Sequence, residues 1–195
     1  MAYRVELFCE DSAHESCARA VIGRVARELK VEVDVHVASA RFGLGRLKSE
    51  LRDFQASMRN SSGVPDLLVV IADSNEAGPN ARQREVEEVI DRSLFPRYIV
   101  GAPDPYVERW LLADPVSFAQ CFGHQPVLGT PRDRDEWKQR LVKALTDAGE
   151  IVTQGGAEFA EDIIDAMDFY RAGQSVPTVQ RFADDVRAAL RQHAT

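Results

Sequence analysis

Three short segments hold most of the side chains that could do chemistry. The first is Cys9-Glu10-Asp11-Ser12-Ala13-His14-Glu15. An alternating apolar run ends at Cys9 and a helical pattern begins a few residues later. Glu10 therefore sits at a strand tip, and Glu15 falls in the first helical turn, where the helix dipole favours negative charge. Asp11 or Ser12 is placed to cap that helix. The second segment is Asp73-Ser74-Asn75-Glu76, directly after an apolar run. A carboxylate at the end of a buried strand is rigidly mounted, and hard cations such as Mg2+ take oxygen ligands of this kind. Asp73, Asn75 and Glu76 are the candidate ligands there, with Glu10 from the first segment. The third segment is Tyr106-Val107-Glu108-Arg109-Trp110-Leu111-Leu112-Ala113-Asp114. Its apolar positions read as helix core and its acids as surface charges, except that Glu108 lies soon after a strand and can approach the same edge.

Other signals are weaker. Gly43-Leu44-Gly45 lacks the third glycine of a dinucleotide fingerprint and reads as a turn. The chain has no Gly-x-x-x-x-Gly-Lys phosphate loop, no His-Glu-x-x-His and no Gly-x-Ser-x-Gly elbow. Of the histidines, only His14 lies near the acidic edge. Arg41, Arg46, Lys48, Arg52 and Arg59 give one helix a basic bias, read as a solvated face. Cys9, Cys17 and Cys121 form no paired-cysteine motif and read as small buried hydrophobes. The formal net charge of −7 opposes nonspecific nucleic-acid binding by the chain alone. A divalent cation, a local basic strip or a basic partner would have to compensate.

The elements that must position these residues follow from periodicity. Residues 3–9 and 31–38 alternate as strands, and the latter, polar on one face, suits an edge. Residues 67–72 are apolar on both faces, as in a central parallel strand. Residues 98–102 make a fourth strand. Helical spacing predicts helices over 13–29, 46–59, 80–94 and 106–113. The alternating order implies an α/β fold with a mainly parallel sheet flanked by helices, and ligands of such sheets sit beyond the carboxyl ends of the strands. Glu10 and Asp73 both lie at that edge. Helices over 135–148, 157–170 and 178–192 make residues 123–195 a helical C-terminal extension packed on an α/β domain of residues 1–122. No apolar run approaches the ~20 residues of a membrane span, and no signal-peptide stretch opens the chain. The expected location is the cytoplasm, with no membrane partner.

Together the three segments resemble the Toprim fold, in particular its RloB-like branch, found beside phage-defence ATPases. In that branch the first strand runs into Cys-Glu-Gly with a second Glu five residues on. Here Cys9-Glu10-Asp11 and Glu15 keep that spacing. An apolar strand ending Asp-x-Asp matches Asp73-Ser74-Asn75, a Phe-Glu-x-Trp-Leu-Leu pattern matches Val107-Glu108-Arg109-Trp110-Leu111-Leu112, and Phe182 is similar to a position of the C-terminal helix. The resemblance implies a Mg2+- or Mn2+-dependent nuclease in anti-phage defence. Glu10, Asp73, Asn75 and Glu76 would be its metal ligands, and Glu10, Glu15 and Glu108 its catalytic acids. Nucleic acid would be the substrate and an ATPase the partner protein. Asp11 replaces the usual Gly, and Asn75 replaces the second Asp. Those departures suit the alternative, a catalytically inactive Toprim-like binding subunit of an ATPase-containing complex.

Overall fold

The computed structural model describes residues 2–39, 43–59, 61, 63–131 and 133–193. Arg41 of the basic strip and parts of the 60–63 loop lie outside the described residues. The chain runs β1 (Tyr3–Cys9), α1 (Ser12–Leu29), β2 (Val33–Ser39), α2 (Gly43–Met58), β3 (Leu67–Ile71), α3 (Pro79–Glu87), β4 (Tyr98–Gly101), α4 (Val107–Leu111) and α5 (Pro115–Phe122). It ends with α6 (Arg134–Asp147), α7 (Ala160–Ala166), α8 (Phe169–Ser175) and α9 (Pro177–Arg191). The four strands form one sheet in the order β2-β1-β3-β4, and every pairing is parallel. The α/β fold with a parallel sheet flanked by helices is therefore present. β2 is an edge strand, as its alternation implies.

Strand alternation sorts the core into two layers. Tyr3, Val5, Leu7 and Cys9 of β1, with Leu67, Val69 and Ile71 of β3, face a large layer with α1 and the C-terminal helices. Phe8, Leu68, Val70 and Ala72 face a smaller layer with Leu47 and Leu51 of α2 and Val86 of α3. Because β3 is buried on both sides, its sequence shows no alternation, which is why it reads as a central strand.

The C-terminal helices belong to the same core as the sheet. α7 and α9 pack on α1, and α9 also packs on β4. Gly101 permits that approach: a Cβ there would come 3.1 Å from the Phe182 ring. Phe182 in turn meets Trp110 of α4 at 5.3 Å between ring centroids, and Trp110 Nε1 donates to Thr178 Oγ1 at 2.8 Å. α9 thus fixes α4, the helix that carries Glu108.

Several local expectations are corrected. Gly43 and Gly45 open α2 rather than forming a turn before it. α3 ends at Glu87, well short of residue 94. The helix expected over 157–170 is broken: Met167 is extended and Asp168 starts α8 by accepting from Arg171 N at 3.1 Å. α5 was not anticipated, although Asp114 before Pro115 is a start signal, and the Asp114 side chain accepts from Ser117 N. Cys9 and Cys17 are buried, but Cys121 is exposed. Asp114 and Glu108 are buried, not surface charges.

Candidate functional site

The site lies beyond the carboxyl ends of β1 and β3. Cys9 pairs with Ile71 across these strands, so the residues that follow emerge side by side. Glu10 continues the ladder, donating its N–H to Ile71 O at 3.3 Å. Its Oε2 accepts from Asp73 N at 3.1 Å. Asp73 is 2% exposed. Its Oδ1 accepts from Val107 N at 2.9 Å, supplying the first turn of α4 with an acceptor that Tyr106 does not provide. Arg82 Nε donates to Asp73 O at 2.7 Å, fixing the backbone from behind.

Asp11 caps α1. Its Oδ1 accepts from Ala13 N and His14 N at 3.0 and 3.1 Å. The same oxygen lies 2.7 Å from His14 Nδ1, and His14 Nε2 lies 2.8 Å from Asp73 Oδ1. His14 is fully buried. A carboxyl group at each ring nitrogen favours the doubly protonated imidazole. Burial alone would lower its pKa, but hydrogen bonds to Asp11 and Asp73 and their negative charges outweigh it and push it up to about 10. The Asp11 carboxyl is depressed well below the usual carboxylate range: bonds and charge from His14 and Arg134 overcome burial.

Arg134, the first residue of α6, closes the cluster. Asp133 caps α6 by accepting from Glu136 N at 3.0 Å. The Arg109 guanidinium lies 5.7 Å from the Trp137 ring centroid, joining α4 to α6. The Arg134 guanidinium bonds Asp11 Oδ2 and stands 3.6 Å from Glu108 Oε1 and 3.9 Å from Asp73 Oδ2. Glu108 is 3% exposed, and its Oε2 has no hydrogen-bond partner among the described residues. Burial raises its pKa, and Asp73 adds to the rise against the pull of Arg134.

Not every candidate residue is gathered here. Glu10, Asp73 and Glu108 converge. Asn75 and Glu76 are exposed on a single 3₁₀ turn, Asn75–Ala77, just beyond the edge. Asn75 N donates to Pro105 O at 3.1 Å. Glu15 lines a groove with Arg19, Gly23, Arg27 and Glu158 between α1 and the segment before α7. His14 is central, where sequence spacing gave it a minor place. Arg134 and Arg82 were not singled out from sequence: Arg134 meets an acid 123 residues away, and Arg82 sits nine residues from Asp73 on a helix where an arginine reads as a surface charge.

Among the described residues, one group offers His, Cys, Asp or Glu atoms for a metal: Glu10, His14 and Asp73, whose ligating atoms lie within 4.8 Å of one another. Two carboxylates and an imidazole are a donor set that fits a divalent cation. The basic strip of α2 is largely committed elsewhere: Arg46 pairs with Glu50, Lys48 with Glu85 and Arg59 with Asp91. No described helix is long and apolar enough to cross a membrane. No family model matches the chain, and no curated protein or solved structure matches it.

Proposed function

We propose that the chain is a divalent-metal-dependent phosphodiesterase acting on nucleic acid, with a Toprim-like fold. One observation carries the reading: ligating atoms of Glu10, His14 and Asp73 converge within 4.8 Å at the carboxyl edge of an all-parallel sheet. Glu10 and Asp73 would hold the cation, Mg2+ or Mn2+. When bound, it would supply Lewis-acid polarisation of a phosphoryl oxygen. Arg134 is part-exposed along its side chain, and its planar fork is suited to a phosphate. Burial shifts Glu108 toward its protonated form, the form that can donate to the departing oxygen. Asp11 orients His14, and Arg82 holds the Asp73 backbone in place. Anti-phage defence and an ATPase partner rest on the family resemblance.

A second reading has its own support. His14 and Arg134 already neutralise much of the acidic charge, and Asn75 and Glu76 stand outside the cluster. On that reading the chain is an inactive Toprim-like subunit that docks on an ATPase.

Calorimetric titration with Mg2+ and Mn2+, paired with cleavage of mixed DNA and RNA substrates, separates the two. Wild type is expected to bind an ion and cleave, and Glu10→Gln to lose both while remaining folded by circular dichroism. Negligible binding and no cleavage by wild type would leave the docking subunit.

A further inference from the structure

We propose that His14 Nε2 is itself a metal ligand, making this a site for a transition-type divalent cation such as Mn2+ in preference to Mg2+. The inference rests on the reading that the cluster holds a cation, and not on which reaction the cation serves. His14 lies on α1, a turn beyond the strand tip, yet its ring is fully buried and enters the group from the side facing Asp73. Its Nδ1 is fixed by Asp11 at 2.7 Å, and Asp11 is fixed by two backbone amides of α1 and by Arg134. A carboxylate holding one ring nitrogen while the other faces further ligands is the arrangement that orients metal-binding histidines and raises their basicity. It also explains the acid where the resembled pattern has glycine: Asp11 sets the ring.

A second observation points to a missing occupant. Glu108 Oε2 is buried and without a hydrogen-bond partner, and the other oxygen of the same carboxyl stands 3.6 Å from the guanidinium that reaches Asp73. A buried carboxyl oxygen left open, on a side chain that shares Arg134 with Asp73, is costly unless something comes to it. On binding, the Nε2 proton leaves to solvent as the nitrogen–cation bond forms, while Nδ1 keeps its proton and its bond to Asp11. An imidazole nitrogen favours Mn2+ or Zn2+ over Mg2+, which prefers oxygen alone.

The test is pulsed electron paramagnetic resonance of the Mn2+-loaded full chain in an amine-free buffer, with binding isotherms for Mn2+ and Mg2+. Wild type should show modulation from a directly bound 14N nucleus. It should also bind Mn2+ at least ~10-fold more tightly than Mg2+. His14→Gln should lose the modulation and the preference. Asp11→Asn keeps a good helix cap, so it serves if His14→Gln fails to fold. It should weaken Mn2+ binding by ~10- to 100-fold and leave Mg2+ binding by carboxylates less affected. Bound Mn2+ without nitrogen modulation, and with equal affinity for both ions, overturns the His14 assignment and leaves a carboxylate-held cation standing. No bound ion of either kind overturns both.

Discussion

Two buried acid–arginine clusters in this molecule use the same residue types to different ends. At the start of α5, Asp114 is closed on all sides. Its Oδ1 accepts from Ser117 N at 3.3 Å and Arg171 Nε at 2.7 Å. Its Oδ2 accepts from Asp168 N and Arg171 Nη2, both at 2.9 Å. Arg171 also donates to Ser117 Oγ at 2.8 Å. Every Asp114 oxygen is used, and Arg171 also stands 3.9 Å from the exposed Asp168 carboxylate. Its pKa is depressed because bonds from Arg171 and the backbone overcome burial. At the sheet edge, three carboxyl groups, Asp11, Asp73 and Glu108, share the cations His14 and Arg134, and Glu108 retains an unpartnered oxygen. A saturated knot locks the α5–α8 junction. An unsaturated one, mounted on strand ends, has capacity left for a ligand.

The comparison is most severely tested by removing one acid from each. Asp114→Ala strips a helix cap, leaves the Ser117 and Asp168 amides without their acceptor and removes the main partner of Arg171. It should cost about 3 kcal/mol of stability, the low end for a broken buried pair because Arg171 is part-exposed. Urea denaturation measures it. Glu10→Gln should change stability by no more than ~1 kcal/mol, since its amide oxygen can still accept from Asp73 N, yet lose metal-dependent cleavage ~10²-fold or more. Equal destabilisation by the two would make both clusters structural.

Next in size is the effect of the ion itself. Mn2+ at 100 times its dissociation constant should stabilise wild type by ~2.7 kcal/mol, and chelation should remove the gain. Thermal melts with and without chelator should show the same increment in Asp114→Ala and none in Glu10→Gln.

pH separates the clusters by sign. Asp11 and Asp114 have depressed folded pKa values, so their stabilisation is present above the unfolded value near ~3.9 and is lost as pH falls toward the folded values. Both clusters therefore weaken in acid. His14 has a raised folded pKa, so its contribution is full below the unfolded value near ~6.5 and is lost as pH rises through about 10. Alkaline loss belongs to the sheet edge, and His14→Gln should flatten it in a pH series of urea midpoints while leaving the acid limb of Asp114 unchanged.

The smallest expected effect lies on α2. Arg46→Ala breaks an exposed pair with Glu50 and should change stability by less than ~0.5 kcal/mol. It should also leave nucleic-acid affinity unchanged in a filter-binding assay. A large loss of affinity would turn that helix face into part of the binding surface.

Sequence and structure divide the explanation along physical lines. Alternation in residues 3–9 marked β1, because Tyr3, Val5, Leu7 and Cys9 all face one layer while Arg4 and Glu6 make the other face partly polar. The unbroken apolar run of β3 marked a central parallel strand because both of its faces are buried. Glu10 and Asp73 were legible as partners at one edge, since a parallel sheet brings successive strand ends together. The break at Met167 was not legible: residues on both sides keep helical spacing, and it is the closure of Asp114 on Asp168 N that fits the turn there. The exposed placement of Asn75 and Glu76 was equally hidden, because position after a strand sets where a backbone goes but not which way a turn rotates its side chains. Local pattern alone thus determined the sheet, its strand order along the chain and two acids at its functional edge. The tertiary structure alone decided that His14 stands between Asp11 and Asp73 and that Arg134 arrives from 123 residues beyond Asp11. Burial and charge pairing act through space, and no spacing along the chain encodes them.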